Sequence, residues 1–243
     1  DARYLCDSLK TVQVWVELKL KAGININDMP KFRDWDHTWI SEQTEIGAGT
    51  VVFPNCVLMG KVVVGKNCVI MPGAVLIGEE VTDGKKAEGR PKMRLGDNCL
   101  VGPNTTLLNV EAGDGVTLGL PHQKNSKIGD GSVIGALAEL NRSQLGKNVK
   151  DVHNSYLGDA TVGDGSNIGA GTITANFDGK NKHKTVFGPD CSTGVNTSII
   201  APNEFPEGTK FPAGSIILAN VKRFLGDISI PPFSRLFSLV LRF

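Results

Sequence analysis

Between Ile40 and Leu76 an aliphatic residue recurs at every sixth position: Ile40, Ile46, Val52, Leu58, Val64, Ile70 and Leu76. Four residues after each anchor stands something small or β-branched, in order Thr44, Thr50, Cys56, Val62, Cys68 and Ala74. The rule returns near the end of the chain. There Phe187, Thr193, Ile199, Phe205, Phe211 and Ile217 are the anchors, and Cys191, Thr197, Thr209 and Ser215 fill the small slot. A period of six fits neither a helix, with its repeat of 3.6, nor a simple alternating strand. It fits a coil whose flat faces are short parallel strands and whose corners are tight turns. Each coil then buries its anchors against those of the next, because no coil can bury a core alone. Corners need residues that tolerate unusual backbone angles, which favours Gly and Asn. With 29 glycines and only 6% aromatic residues, the composition suits such corners better than a layered core filled by large rings.

The expected fold is all-β, a parallel β-helix from about Ile40 to Ala219. It resembles the left-handed hexapeptide β-helix of acyltransferases, in which three hexads make one coil. The left hand comes from that resemblance; the period alone leaves the hand open. Residues 1–39 are expected to hold a lead-in with a helix over Tyr4 to Ala22, where Tyr4, Leu5, Leu9, Val12, Trp15, Val16 and Leu18 fall at roughly helical spacing and Gly23 stops it. Residues 220–243 read as a C-terminal tail, in which Pro231-Pro232 breaks the chain before an apolar segment, Phe233 to Val240, that would cap its own coil or cover a neighbouring chain. Polar departures from the repeat at 79–94, 120–127 and 176–185 read as loop insertions, the places where a solenoid carries function.

Charge names no partner. Twenty-six basic and 25 acidic residues leave a net charge of +1, which argues against nucleic acid or an anionic membrane. The chain opens DARYLCDSLK, without an initiator Met and without a charged-then-apolar leader, and it has no long uninterrupted apolar stretch. A soluble, cytoplasmic, non-exported protein is expected, and the missing Met leaves open a fragment of something longer. Of Cys6, Cys56, Cys68, Cys99 and Cys191, the last four fall in the small inward slot, so buried thiols are expected rather than disulfides or a metal site.

The segment DVHNSYLGDATVGDGSNIGAGTITANFDGKNKHKT, 151–185, is dense in functional side chains. Its HxxYLGDA, GxxxNIGAGTITxN and DGxNKxKT strings resemble the acetyltransferase domain of the bacterial bifunctional glucosamine-1-phosphate N-acetyltransferase/N-acetylglucosamine-1-phosphate uridyltransferase family. AGININDMPKF, 22–32, is similar to that family's entry into its β-helix. The family's nucleotide-binding domain has no counterpart among these residues, so uridyl transfer is not expected from them.

The resemblance implies an acetyl-CoA-dependent N-acetyltransferase that converts glucosamine 1-phosphate to N-acetylglucosamine 1-phosphate. It also implies a homotrimer with sites completed between chains, acetyl-CoA as co-substrate and no metal. An amine nucleophile must lose a proton, and a neutral imidazole suits that task near neutral pH. His153 matches the family's general base; read alone, it suits better a corner histidine bonded to a carbonyl, and Tyr156 three residues on with the IGAG that follows turns the reading to the base. Tyr156 and Asn167 match sugar-phosphate contacts, or else a stacked aromatic and an ordinary corner Asn. Lys182 matches a substrate-proximal loop lysine, whereas Lys180 and Lys184 read as solvated. Ala170, Asn176, Phe177 and Ala213 match positions that contact acetyl-CoA, and Arg235, in Ser234-Arg235 and matched across a gap, would pair with CoA phosphate.

This chain also departs from the family. The two basic residues that grip the sugar phosphate align with Gln123 and Asn141, the Tyr after the loop Asn is Phe177, and a CoA-contacting Ser is Val195. Lys124 and Arg142 each stand one position from the lost cations, on what alternation makes the opposite face of a strand. Two other readings therefore stay open: an acyltransferase for a different amine, and a non-catalytic β-helix serving as a scaffold for a nucleotidyltransferase.

Overall fold

A computed structural model of the chain describes residues 9–78, 92–119 and 122–220, with the backbone of 81, 82, 85 and 86. The chain winds as a parallel β-helix whose three faces are sheets of eleven, ten and nine strands. The first sheet opens with Leu9–Thr11 and Trp39–Ser41 and ends at Ile216–Ile217; the second runs from Lys31–Phe32 to Lys210–Phe211; the third runs from Glu45–Ile46 to Asn203–Phe205. Stacked strands pair parallel and in register, for example Ile40 with Leu58 and Leu58 with Leu76.

The hexad anchors line the interior. Ile40, Val52, Leu58, Ile70 and Leu76 are wholly buried and Ile46 is half-buried. Each such side chain contributes roughly 1.5–3 kcal/mol by leaving water. The small slot is small because its side chain reaches the main chain of the coil above. The Thr50 hydroxyl donates to the Gly65 carbonyl at 2.8 Å and accepts from the Cys68 amide at 3.0 Å. Cys56, Cys68, Cys99 and Cys191 are buried free thiols, and Cys56 Sγ donates to the Met71 carbonyl at 3.2 Å. Corners are turned by left-handed residues, mostly Asn, such as Asn67 at φ 53° and Asn148 at φ 55°. Leu137, at φ 59°, is the aliphatic exception among the described residues.

Three expectations need correction. The lead-in helix, α1, covers only Val12–Lys21. Leu9–Thr11 instead pairs antiparallel with Trp39–Ser41, which covers the edge that the first coil strand would otherwise leave open. Tyr4 and Leu5 lie outside the described residues. Val12, Trp15 and Val16 close the end of the coil, with Trp15 Nε1 donating to the Thr44 carbonyl at 3.3 Å and its ring edge-on to Phe32 at 5.8 Å.

The polar run 120–127 is not a loop insertion. His122–Lys124 is a strand of the first sheet and Lys127–Ile128 a strand of the third, because a strand needs only alternating burial and Gln123 takes the inward place. The other two insertions are shorter than expected: Met93–Leu95 and Thr185–Phe187 already pair in the third sheet. Within the first insertion Val81–Thr82 and Lys85–Lys86 form an antiparallel hairpin. Among the described residues no helix is long and apolar enough to cross a membrane. The tail from 221 onward lies outside the described residues.

Candidate functional site

The strand Lys150–His153, in the second sheet, runs into a corner, and the next strand, Tyr156–Gly158, belongs to the first sheet. Asn154, at φ 42°, turns the chain between them. His153 is thereby left exposed on the corner, and its ring makes no hydrogen bond to the described residues. Successive coils place Ala136, His153, Ala170, Val195 and Ala213 in one column along this corner. Ala136 is in register with His153, and Gly171 N donates to the carbonyls of His153 and Asn154 at 3.4 and 3.1 Å. Asn196 N donates to the Ala170 carbonyl at 2.7 Å, and Gly214 N to that of Val195 at 2.8 Å. At about 4.8 Å per coil, Ala170 is next to His153 and Ala213 stands three coils on.

Tyr156 points outward from the first sheet, in register with Glu139 on one side and Ile173 on the other. Gly158 makes room for its ring: a Cβ there would lie 2.8 Å from Tyr156 Cε1 and 2.6 Å from Asn176 Nδ2. Beyond it, the corner into the third sheet carries an ion pair. Arg142 Nε and Nη2 donate to the two oxygens of Asp159 at 2.6 and 2.8 Å, and Nη1 donates to Asn141 Oδ1 at 2.7 Å. Asn176 Nδ2 donates to Asp159 Oδ2 as well. Burial works to raise the Asp159 carboxyl, but the Arg142 and Asn176 hydrogen bonds outweigh it and hold it below the usual carboxylate range. Lys182 lies close enough to push in the same direction.

The loop after Asn176 is a pinned hairpin. Phe177 bridges antiparallel to Lys182, and His183 N donates to the Asn176 carbonyl at 2.7 Å. Asp178 accepts from the amides of Lys180 and Asn181 and meets His183 Nε2 at 2.7 Å, contacts that hold its carboxyl well below the usual range. Phe177 is 59% exposed at the hairpin's base.

Tyr156, Asn176, Phe177 and Lys182 thus gather on the first sheet and the corner beside it, while His153, Ala170 and Ala213 share the neighbouring corner. Asn167 lies apart from both groups. It faces outward from the second sheet, in register with Lys150 and Ser192. Arg235 lies outside the described residues. Among those residues no group of three His, Cys, Asp or Glu side chains could hold a metal ion.

Gln123 is not a surface residue at all. It is wholly buried in the inward ladder between Leu107 and Leu140, its Nε2 donating to the Ala138 carbonyl at 2.9 Å and its Oε1 without a partner. Lys124 is the outward residue, in register with Asn141. The alignment slips because Gln123 to Leu140 takes seventeen residues where Ile40 to Leu58 takes eighteen, so a step of eighteen back from Asn141 lands on Gln123 rather than on Lys124. Counting coil lengths through 107–140 would have exposed the slip. Sequence reasoning also gave no role to Asp159, although it stands inside the quoted YLGDA string, and set aside Arg142.

Residues 43–78 match the family "bacterial transferase hexapeptide (six repeats)". Over 214 residues the chain is 33% identical to the bifunctional protein GlmU of Clostridium novyi, covering 88% of this chain and 42% of that protein. It is 37% identical over 205 residues to the bifunctional protein GlmU of Rubrobacter xylanophilus, covering 83% and 39%. Among solved structures, the UDP-N-acetylglucosamine acyltransferase of Francisella novicida aligns at 14% identity with a TM-score of 0.44, covering 78% of this chain and 62% of that one. The chain spans about two fifths of the length of the curated relatives it matches.

Proposed function

We propose that this hexapeptide-repeat chain, similar to one part of the GlmU proteins, is an acetyl-CoA-dependent N-acetyltransferase that acts on an amino sugar phosphate, with glucosamine 1-phosphate as the simplest substrate. The observation that carries the reading is the corner column, in which a free imidazole, His153, stands one coil from Ala170 and beside Tyr156. The amine nitrogen attacks the thioester carbonyl carbon of acetyl-CoA. His153 takes the amine proton as the C–N bond forms, the C–S bond breaks, and the departing sulfur is protonated to the thiol. The developing oxyanion needs a fixed donor, and the Ala170 amide, which makes no hydrogen bond among the described residues, is on offer beside the base.

The phosphate reading rests on charge. Lys124 faces outward next to Asn141, Arg142 turns the adjoining corner and Lys182 stands close to Asp159. Asn167 and Ala213 lie far from that cluster along one chain, which supports sites shared around a homotrimer. A monomer with full activity in sedimentation would contradict that arrangement. Use of acetyl-CoA, with buried free thiols, supports a cytoplasmic setting.

The neutral Asn141 favours a second reading, an acyltransferase for another amine. Thiol release from acetyl-CoA, measured with glucosamine 1-phosphate, glucosamine 6-phosphate, glucosamine and other amines, separates the readings. Fastest release with glucosamine 1-phosphate is expected. Equal rates with and without phosphate would point to another amine, and no release with any amine would leave only a scaffold.

A further inference from the structure

The inward ladder of the second sheet runs Phe32, Val52, Ile70, Val101, Leu118, Ile134, Asp151, Ile168, Thr193 and Phe211. Asp151 is the one titratable side chain in it, wholly buried between Ile134 and Ile168. A carboxyl in a slot shaped for isoleucine is costly and needs a reason. It makes one hydrogen bond, accepted at Oδ2 from Ser155 Oγ at 2.7 Å, and its Oδ1 has no partner.

Ser155 sits in the small slot directly after the turn Val152–Asn154. In the next three coils the hydroxyl of that slot caps a main-chain carbonyl three residues back: Thr172 to Gly169 at 2.6 Å, Thr197 to Gly194 at 2.8 Å, Ser215 to Pro212 at 2.6 Å. Ser155 is diverted from this cap to Asp151. The two side chains therefore bracket from inside the turn that presents His153 on the outside.

We propose that Asp151 is a positioning residue for His153, acting through its hydrogen bond with Ser155 to set the turn that carries the imidazole. This rests on the reading of His153 as the base. The ionised carboxylate can only accept, so it holds the Ser155 proton and keeps the turn uncapped. Once protonated, it can donate to Ser155 Oγ instead, which frees the serine proton for a main-chain carbonyl, as in the following coils. Burial pushes the Asp151 carboxyl up to about 6, with the Ser155 hydrogen bond pulling the other way. Around it, Ile134, Ile168, Leu140, Leu157, Leu145 and Val162 are inward and apolar. Among the described residues facing it there is no other charged or titratable group.

Catalysis by this arrangement requires both a neutral His153 and an ionised Asp151. In the wild type, the acid side of the log kcat/KM profile for glucosamine 1-phosphate should therefore be steeper by one than in a protein without the Asp151 carboxyl. Asp151→Asn keeps an acceptor for Ser155 and should hold kcat at pH 8 within about threefold of wild type, with the acid slope reduced by one. Asp151→Val suits the apolar ladder but loses the bracket, and should lower kcat at pH 8 roughly tenfold with KM for acetyl-CoA unchanged. Its melting temperature should exceed the wild type's by a margin that grows from pH 4 to pH 7. The sign follows because a carboxyl raised above its unfolded value favours the fold when protonated, and that contribution is lost as pH rises through the folded value. Wild-type kcat in Asp151→Val, or an acid slope unchanged in Asp151→Asn, would overturn the proposal. A wild type without turnover would instead overturn the acetyltransferase reading, and the pH-dependent melting difference would still report whether Asp151 titrates in the fold.

Discussion

The coils from Ile40 to Leu76 and those from Leu107 to Thr174 are built on one repeat and used differently. In the first set each turn takes eighteen residues and the inward anchors are aliphatic. In the second, turns shrink to sixteen or seventeen residues and the inward places admit Gln123, Asp151 and Thr174, each wholly buried. The free imidazole and the Arg142–Asp159 pair belong to this second set, and the pinned hairpin follows directly after it. A regular solenoid offers a smooth surface in which every coil repeats its neighbour. A site needs particular side chains at particular corners, and shortened coils, polar anchors and an inserted hairpin supply them.

That contrast can be broken in graded steps. The largest effect is expected from Leu58→Ala in the regular coils. It should destabilise the protein by about 2–5 kcal/mol, read by denaturant unfolding, while KM for glucosamine 1-phosphate stays at the wild-type value. A changed KM would mean that the regular coils also shape the site. A smaller effect is expected at the outward edge of the first sheet. Loss of one charge-assisted contact in Lys124→Ala should cost about 1.5 kcal/mol of binding, a roughly tenfold higher KM for glucosamine 1-phosphate with little change for glucosamine. Asn141→Lys, on the neighbouring strand, should lower that KM a few-fold. If both leave KM alone, this surface meets no phosphate. The smallest effect is expected at Lys180, an exposed hairpin residue. Lys180→Ala should stay within about 0.5 kcal/mol of wild-type stability, and a larger loss would mean that the hairpin depends on more than the Asp178 contacts.

How much of this was legible in the sequence varies along the chain for physical reasons. The hexad period located the interior of the regular coils, because anchors such as Leu58 and Ile70 do one thing only. The family resemblance misled at Gln123, where a coil of seventeen residues shifts inward and outward positions by one and a single sequence shows no gap. The Tyr4–Ala22 expectation failed at its start because an edge strand at Leu9–Thr11 gains more from pairing than from helical spacing. Motif strings brought His153, Tyr156, Asn176 and Lys182 to notice. The Arg142–Asp159 pair and the Asp151–Ser155 pair stayed hidden, since the first joins residues on successive coils and the second joins two inward residues around a corner, and no local pattern records that geometry.

The proposed acetyl transfer depends above all on His153 as the group that takes the amine proton. Steady-state thiol release from acetyl-CoA with saturating glucosamine 1-phosphate, wild type against His153→Ala, tests it most directly. Because the ring is exposed and makes no hydrogen bond to the described residues, its removal should leave the melting temperature unchanged. The expected kcat is lower by roughly 10²- to 10⁴-fold. A His153→Ala protein that folds as the wild type does and turns over at a rate near the wild type's would contradict it.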